Sequence, residues 1–193
     1  MAASLLGLGA ACASNPPPEP APAAPGSAAK AATLYSATER TSLFGCSALT
    51  DSARIIAEMK RKGIPLQDAK AWFADRPNSQ LTLATADKVY DDRVGNVWDY
   101  ATAFFADCAA HVSRVPRERS GPASFCMLNS MIAATAQASR EAGVPIDKVD
   151  QYFAGFPGDL PTAIIAGVYA QQQTRAAAHA QAWNSCMDGI SGG

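Results

Sequence analysis

The chain has 193 residues, of which 48% are hydrophobic and 17% charged, and its formal net charge is −1 with a pI near 6.1. This balance lacks the basic footprint that nucleic-acid binding requires, and we expect no nucleic-acid partner. The sequence contains no run of about 18 apolar residues, so it predicts no transmembrane helix.

The amino-terminal segment, residues 1–12, predicts an export signal. Met1 to Ala11 are small and apolar, as in the hydrophobic region of a signal peptide, although the usual basic residues before it are missing. Residues 8–12 resemble a bacterial lipobox, with Leu8 one place further from the cysteine than is usual. Cys12 is the odd cysteine of five, which favours lipid attachment there. The alternative is cleavage at an A-x-A site around Cys12, followed by plain secretion.

Residues 13–34 predict an extended tether. The stretch 14–33 reads SNPPPEPAPAAPGSAAKAAT, in which proline occupies six of twenty positions. Proline fixes φ and lacks an N–H donor, so regular helix or sheet is excluded. At roughly 3 Å per residue the spacer reaches about 60 Å, enough to hold a domain away from a membrane. The alternative is a disordered tail.

The rest of the chain predicts an internal duplication, with module one over 35–113, a linker over 114–122 and module two over 123–193. The two halves match without a gap from the first cysteine to the proline after the second helix, and two single deletions align the remainder. The matched positions are special residue types: Cys46 and Cys126, Gly63 and Gly143, Pro65 and Pro145, Phe73 and Phe153, Tyr90 and Tyr169, Phe105 and Trp183, Cys108 and Cys186. Such self-similarity indicates repeated structural units.

Each copy is predicted to form four helices. The first runs over Thr38–Lys62 or Ala123–Ala142 and ends at a glycine that suits a left-handed turn. The second follows Pro65 or Pro145, over 66–75 or 146–154, where a proline suits the first turn. Its aromatic pairs, at 72–73 and 152–153, are expected to face inward.

The third helix carries Tyr90 or Tyr169, and the fourth carries Trp98 to Cys108 or 177–186. No stretch alternates β-branched and polar residues, so strands are not expected. The prediction is an all-α fold of two tandem, disulfide-closed, four-helix modules.

The four cysteines of the body predict two structural disulfides. Four cysteines allow three pairings. The repeat selects Cys46–Cys108 and Cys126–Cys186, which tie the first helix of each copy to the fourth. The wide spacing disfavours a zinc site and thioredoxin-like redox chemistry, both of which favour close cysteine pairs.

No catalytic motif is present, and we expect no enzyme activity, no cofactor and no metal. The sequence lacks a nucleophile elbow, a zinc-protease motif and a phosphate-binding loop. His111 and His179 have no partner at a catalytic or metal-ligand spacing. The acidic pair Asp91-Asp92 has no counterpart in copy two and is interpreted as a solvated helix end.

A partner surface is predicted where the copies differ. In copy one, five charged or aromatic residues have no counterpart of the same type: Asp75, Arg76, Trp98, Asp99 and Tyr100. Aromatics with arginine are typical of interface centres. The alternative is that Trp98 and Tyr100 belong to the core.

The Cys–helix–G-x-P–helix–Val-Tyr–helix–Cys layout, carried in copy two by Cys126, Gly143, Val168-Tyr169 and Cys186, resembles small exported helical proteins of proteobacteria. It is also similar to the periplasmic immunity proteins that neutralise type VI secreted amidase toxins. The resemblance implies an envelope protein that binds another protein as an inhibitor or immunity factor. It carries over no toxin-contact residue. The tether and signal add an expected location in the periplasm, at the outer membrane, with membrane contact through the lipid anchor only. An envelope stress or assembly factor, such as a small chaperone, is the alternative.

Overall fold

The computed structural model describes residues 34–76, 79–156 and 158–191, so Cys12 and nearly all of the predicted tether lie outside the described residues. The described part is helical and contains no strand. Copy one consists of α1 (Ala37–Arg61), α2 (Leu66–Phe73), α3 (Ser79–Asp91) and α4 (Val97–His111). Copy two consists of α5 (Arg117–Glu141), α6 (Ile146–Tyr152), α7 (Leu160–Tyr169) and α8 (Arg175–Ser191). The predicted fold class is confirmed.

The turn between the first and second helices is the same in both copies. Gly63 and Gly143 have φ of 75° and 73°, a backbone conformation that glycine adopts without steric cost. The Gly63 N–H donates to the Lys60 carbonyl at 2.9 Å, and the Ile64 N–H donates to the Met59 carbonyl at 3.0 Å. Copy two repeats both bonds. These are the two hydrogen bonds of a Schellman motif, so the predicted helix ends are confirmed.

Pro65 and Pro145 directly precede α2 and α6, which begin at Leu66 and Ile146 as predicted. Each is the N-cap residue, in extended conformation, immediately before the first helical residue of α2 or α6. The N–H group that proline lacks costs no hydrogen bond at this position, because the first N–H groups of a helix have no acceptor inside the helix.

The prediction that both members of each aromatic pair face inward is wrong: in each pair only one ring is buried. Phe73 and Phe153 are buried, at 3% and 2% exposure, whereas Trp72 and Tyr152 are 44% and 52% exposed. Neighbouring residues on a helix point about 100° apart, so a short helix resting on the core buries one of the two. Each copy therefore presents one member of this aromatic pair to the surface.

The junction between the copies differs from the predicted linker over 114–122. Helix α5 begins at Arg117 and contains Pro122. The hydroxyl of buried Tyr35 donates to the Arg119 carbonyl and accepts from the Ala123 N–H at 3.3 Å. The hydroxyl group therefore links the Arg119 carbonyl to the Ala123 N–H in the same helical turn as Pro122, which has no N–H to donate. This contact from Tyr35, distant in the chain, helps to keep the segment helical.

The two copies share one hydrophobic core rather than forming separate domains. One cluster of buried residues combines Leu43 and Phe105 of copy one with Met127 and Trp183 of copy two. Two further clusters lie one in each copy. The described residues, from 34 onward, accordingly belong to one compact unit.

Both predicted disulfides are confirmed. Cys46 and Cys108 have a Cα–Cα distance of 5.7 Å, and Cys126 and Cys186 one of 5.3 Å, within the usual range. Structural disulfides persist in oxidising compartments, so they fit a protein outside the cytoplasm. In the described ranges, no helix combines the length and the apolar character needed to cross a bilayer.

Candidate functional site

The five residues of the predicted partner surface are not gathered in one patch. Asp75, Arg76 and Asp99 are exposed, and Trp98 and Tyr100 are partly buried. Trp98 and Asp99 line one cleft, Arg76 lines another, and Asp75 and Tyr100 line neither. The structure therefore divides three of the five residues between two clefts and leaves the other two outside both.

Tyr100 serves an internal contact. Its hydroxyl donates to Oδ2 of Asp92 at 2.8 Å. Hydrogen bonds from Lys88 and then from Tyr100 lower the pKa of Asp92, while burial and then the bond to Asp92 raise the pKa of Tyr100. Asp92, which directly follows α3, thus helps to hold α4 in place.

The first cleft, here the Trp98 cleft, lies between the start of α4 and the end of α6. The ring of Trp98 is 5.6 Å from that of Phe153 and 5.0 Å from that of Phe156, both in edge-on geometry. The Arg54 guanidinium lies 5.0 Å from the Trp98 ring centroid. Trp98 contacts all three hydrophobic clusters, so its role in joining the two copies is structural. A cavity of about 550 Å³ borders it.

The second cleft, here the arginine cleft, lies between the end of α2, the start of α8 and the facing stretches of α1 and α5. Its volume is about 650 Å³. Three arginines, two glutamates and two exposed aromatic rings give it its chemistry: Arg54, Arg76, Arg175, Glu58, Glu141, Trp72 and Tyr152.

Matched positions of the two copies face each other in this cleft. Trp72 and Tyr152 occupy the same place in the repeat, as do Glu58 and Ala138, and all four line the arginine cleft. The matched rings of Phe105 and Trp183 also meet, 6.3 Å apart, in the shared core. Such contacts are expected where two copies pack about an approximate two-fold axis. The cleft is therefore a product of the duplication.

Buried ion pairs hold the floor of the arginine cleft. Arg54, which is 3% exposed, donates to Glu58 at 2.7 Å, to Thr135 at 3.0 Å and more weakly to Asp51 at 3.5 Å. Arg175 forms an ion pair with the other oxygen of Asp51. Sequence reasoning missed these residues. Their signal was the i, i+3 and i+4 charge spacing of 51, 54 and 58 within an otherwise small and apolar helix face.

The rim of the cleft carries the exposed groups. The Arg76 guanidinium lies 3.6 Å from the centroid of the Trp72 ring, a close cation–π contact. Burial, and then the positive charge of Arg175, lower the pKa of Arg76. Across the cleft the Tyr152 hydroxyl donates to Glu58 at 2.9 Å. Glu141 accepts from Gln137 at 3.0 Å.

His179 has a partner that sequence spacing did not reveal. Its Nε2 lies 3.2 Å from Oγ of Ser47, which is 2.9 Å from Oγ of Ser130. His179 is 5% exposed and both serines are fully buried, so substrate cannot reach this chain of hydrogen bonds. Burial lowers the pKa of His179, and the Asp51 carboxylate partly opposes that shift. The group joins α1, α5 and α8 internally.

Among the described residues, no three His, Cys, Asp or Glu side chains are grouped closely enough to hold a metal ion. No family model, curated protein or solved structure matches this chain. Its function must be inferred from the two clefts and the scaffold that carries them.

Proposed function

We propose that the chain is a non-enzymatic binding protein of the cell envelope, and that its arginine cleft receives a segment of another protein. One observation carries the proposal: the cleft presents Trp72, Tyr152 and Arg76 together at its rim. Tryptophan, tyrosine and arginine dominate the energetics of protein interfaces because they offer large contact area and several donors at modest entropic cost.

The scaffold supports this proposal because it holds the cleft walls rigidly. Helices α1 and α5 form the floor, and each is tied to the fourth helix of its copy by a disulfide. A preorganised site loses little conformational freedom when a partner binds, so more of the contact energy appears as affinity.

The proposed location is the periplasmic side of the outer membrane, with Cys12 as the lipid-bearing residue and residues 13–34 as the spacer. The disulfides support an oxidising compartment. In this proposal the membrane is contacted through the anchor alone, and neither nucleic acid nor a cofactor is bound. More specifically, we propose that the protein acts as an inhibitor or immunity factor for a secreted toxin.

The test is capture of a partner from periplasmic extract by the oxidised full chain, compared among three proteins. Trp72→Ala removes a cleft aromatic, and Phe125→Ala removes an aromatic that is also exposed but lies outside the cleft. We expect the wild type and Phe125→Ala to capture the same protein, with capture by Trp72→Ala reduced at least about tenfold. The proposal fails if no protein is captured, or if both variants capture equally.

An envelope stress factor, such as a small chaperone, is the second candidate, and buried His179 favours it. A histidine buried in its neutral form opposes acidification, so low pH would loosen α8 and expose apolar surface. Binding of a hydrophobic dye at mildly acidic pH, absent at neutral pH, would support this function. Equal dye binding at both pH values would rule out this second candidate function.

A further inference from the structure

We infer that the arginine cleft recognises an acidic segment of its partner, with an aspartate or glutamate carboxylate seated on Arg76 beside Trp72. This inference rests on the proposed function, since it names the chemistry of the partner at the same cleft. Two observations carry it. The repeat places an arginine where the other copy has a phenylalanine, and this arginine has no ion-pair partner among the described residues.

The end of the arginine cleft around Arg76 corresponds in the repeat to the part of the Trp98 cleft around Phe156. The residue matched to Trp98 is Ala176, and the residue matched to Phe156 is Arg76. Phe153 is matched by Phe73, which is buried like its counterpart. In one place a tryptophan packs on two phenylalanines, whereas the other place has an alanine and an arginine at the positions of the tryptophan and of one phenylalanine. At the position of Trp98, copy two has only the small side chain of Ala176, so no tryptophan at this position is available to pack against Arg76 as Trp98 packs against Phe156.

Every arginine of the cleft except Arg76 forms an ion pair within the protein, and Glu141 accepts a hydrogen bond from the neutral side chain of Gln137. Arg54 is paired with Glu58 and Arg175 with Asp51. Among the residues that the structure describes, no carboxylate lies within ion-pair distance of Arg76, and the nearby charge that acts on it is the cation of Arg175. A carboxylate from a partner would relieve that repulsion.

The geometry of Arg76 suits such a carboxylate. Its guanidinium lies close over the Trp72 ring and remains exposed. A guanidinium packed against an aromatic face can still donate from the edge of its planar fork, and that fork matches a carboxylate with two parallel hydrogen bonds. Trp72 and Tyr152 then offer apolar contact to the residues on either side of the acid.

The probe is a library of random peptides of about twelve residues, long enough to fill a groove between helices, selected against the oxidised full chain. The enriched sequences are synthesised twice, once as selected and once with every acid replaced by its amide. Affinities are measured for the wild type, for Arg76→Glu and for the matched control Arg93→Glu. Arg93 is exposed and lies outside the cleft.

The expected result is a set of peptides enriched in Asp or Glu. Their affinity should fall at least about tenfold on amide replacement and on Arg76→Glu, stay within about twofold for Arg93→Glu, and weaken with added salt. A second variant, Arg76→Phe with Ala176→Trp, copies the residues of the Trp98 cleft and should abolish binding while the protein keeps its helical spectrum.

Other outcomes overturn the inference. If the enriched peptides are neutral or aromatic and bind Arg76→Glu as tightly as the wild type, the cleft does not recognise acids. The proposed protein-binding function would then still hold without this inference. Failure to enrich any peptide would count against acid recognition, as would self-association that is lost in Arg76→Glu, because the occupant would then be a second copy. Loss of capture in the Trp72→Ala experiment tests the proposed function separately.

Discussion

The Trp98 cleft and the Arg76 end of the arginine cleft hold matched positions of the two copies and have opposite character. In the first, Trp98 packs against Phe153 and Phe156 and joins the hydrophobic clusters of both copies. In the second, Ala176 and Arg76 stand at the positions of Trp98 and Phe156. The comparison shows that the duplicated scaffold is asymmetric: where one copy places an aromatic contact, the other places an arginine at the rim of a cleft.

A second difference between the copies lies on the fourth helices. Ala101 of α4 and His179 of α8 are matched positions, and both are buried. In copy one this site is apolar, whereas in copy two it carries a hydrogen-bonded titratable group that contacts α1. In the pH range where histidine titrates, sensitivity of stability to pH should therefore arise in copy two.

The largest expected effect is removal of one disulfide at a time, which tests whether the copies unfold together. The bridges close loops of similar length, with separations of 62 and 60 residues. Replacing either pair by serine should lower the free energy of unfolding by about 4 kcal/mol. Urea unfolding followed by circular dichroism should still show one transition, because the core is shared. Two separate transitions after loss of one bridge would show that the halves fold independently.

A smaller effect is expected from tryptophan substitutions in the two clefts. Trp98→Ala removes contacts with three hydrophobic clusters and should cost about 3 kcal/mol of unfolding free energy. Trp72→Ala removes an exposed ring and should change stability by about 0.5 kcal/mol at most. Denaturation of both variants under the same conditions measures the contrast. Equal losses would contradict the assignment of Trp98 to structure and Trp72 to binding.

The smallest expected effect concerns pH. Burial lowers the pKa of His179 below its ordinary value of 6.5, so the unfolded chain takes up this proton more readily than the folded chain. The stability contributed by the neutral histidine is complete above about pH 6.5 and falls as the pH drops from there to the lowered folded-state pKa.

The measurement is the free energy of unfolding against pH for the wild type, His179→Gln and His111→Gln. His179→Gln should flatten the curve below about pH 6.5, since glutamine does not titrate there. His111 is exposed, and its substitution should leave the slope unchanged. If the two variants behave alike, the acid sensitivity of the protein lies elsewhere.

Much of the fold is encoded locally, which is why the sequence alone predicted it. Helix ends at Gly63 and Gly143 depend on a backbone conformation that few other residues adopt, so the residue type specifies the turn. The disulfide pairing followed from the repeat because equivalent cysteines in equivalent modules must pair equivalently. The helical class followed from spacing and from the absence of strand-like alternation.

Only the tertiary structure decided how the copies combine and what their junction presents. Whether Trp72 or Phe73 is buried depends on which face of the short helix α2 packs against the rest of the protein. The local sequence does not specify that face. The helical start of α5 depends on Tyr35, which lies 84 residues from Arg119 in the chain. The arginine cleft exists because residues from α1, α2, α5, α6 and α8 meet there, and contacts between residues so distant in sequence leave no local pattern.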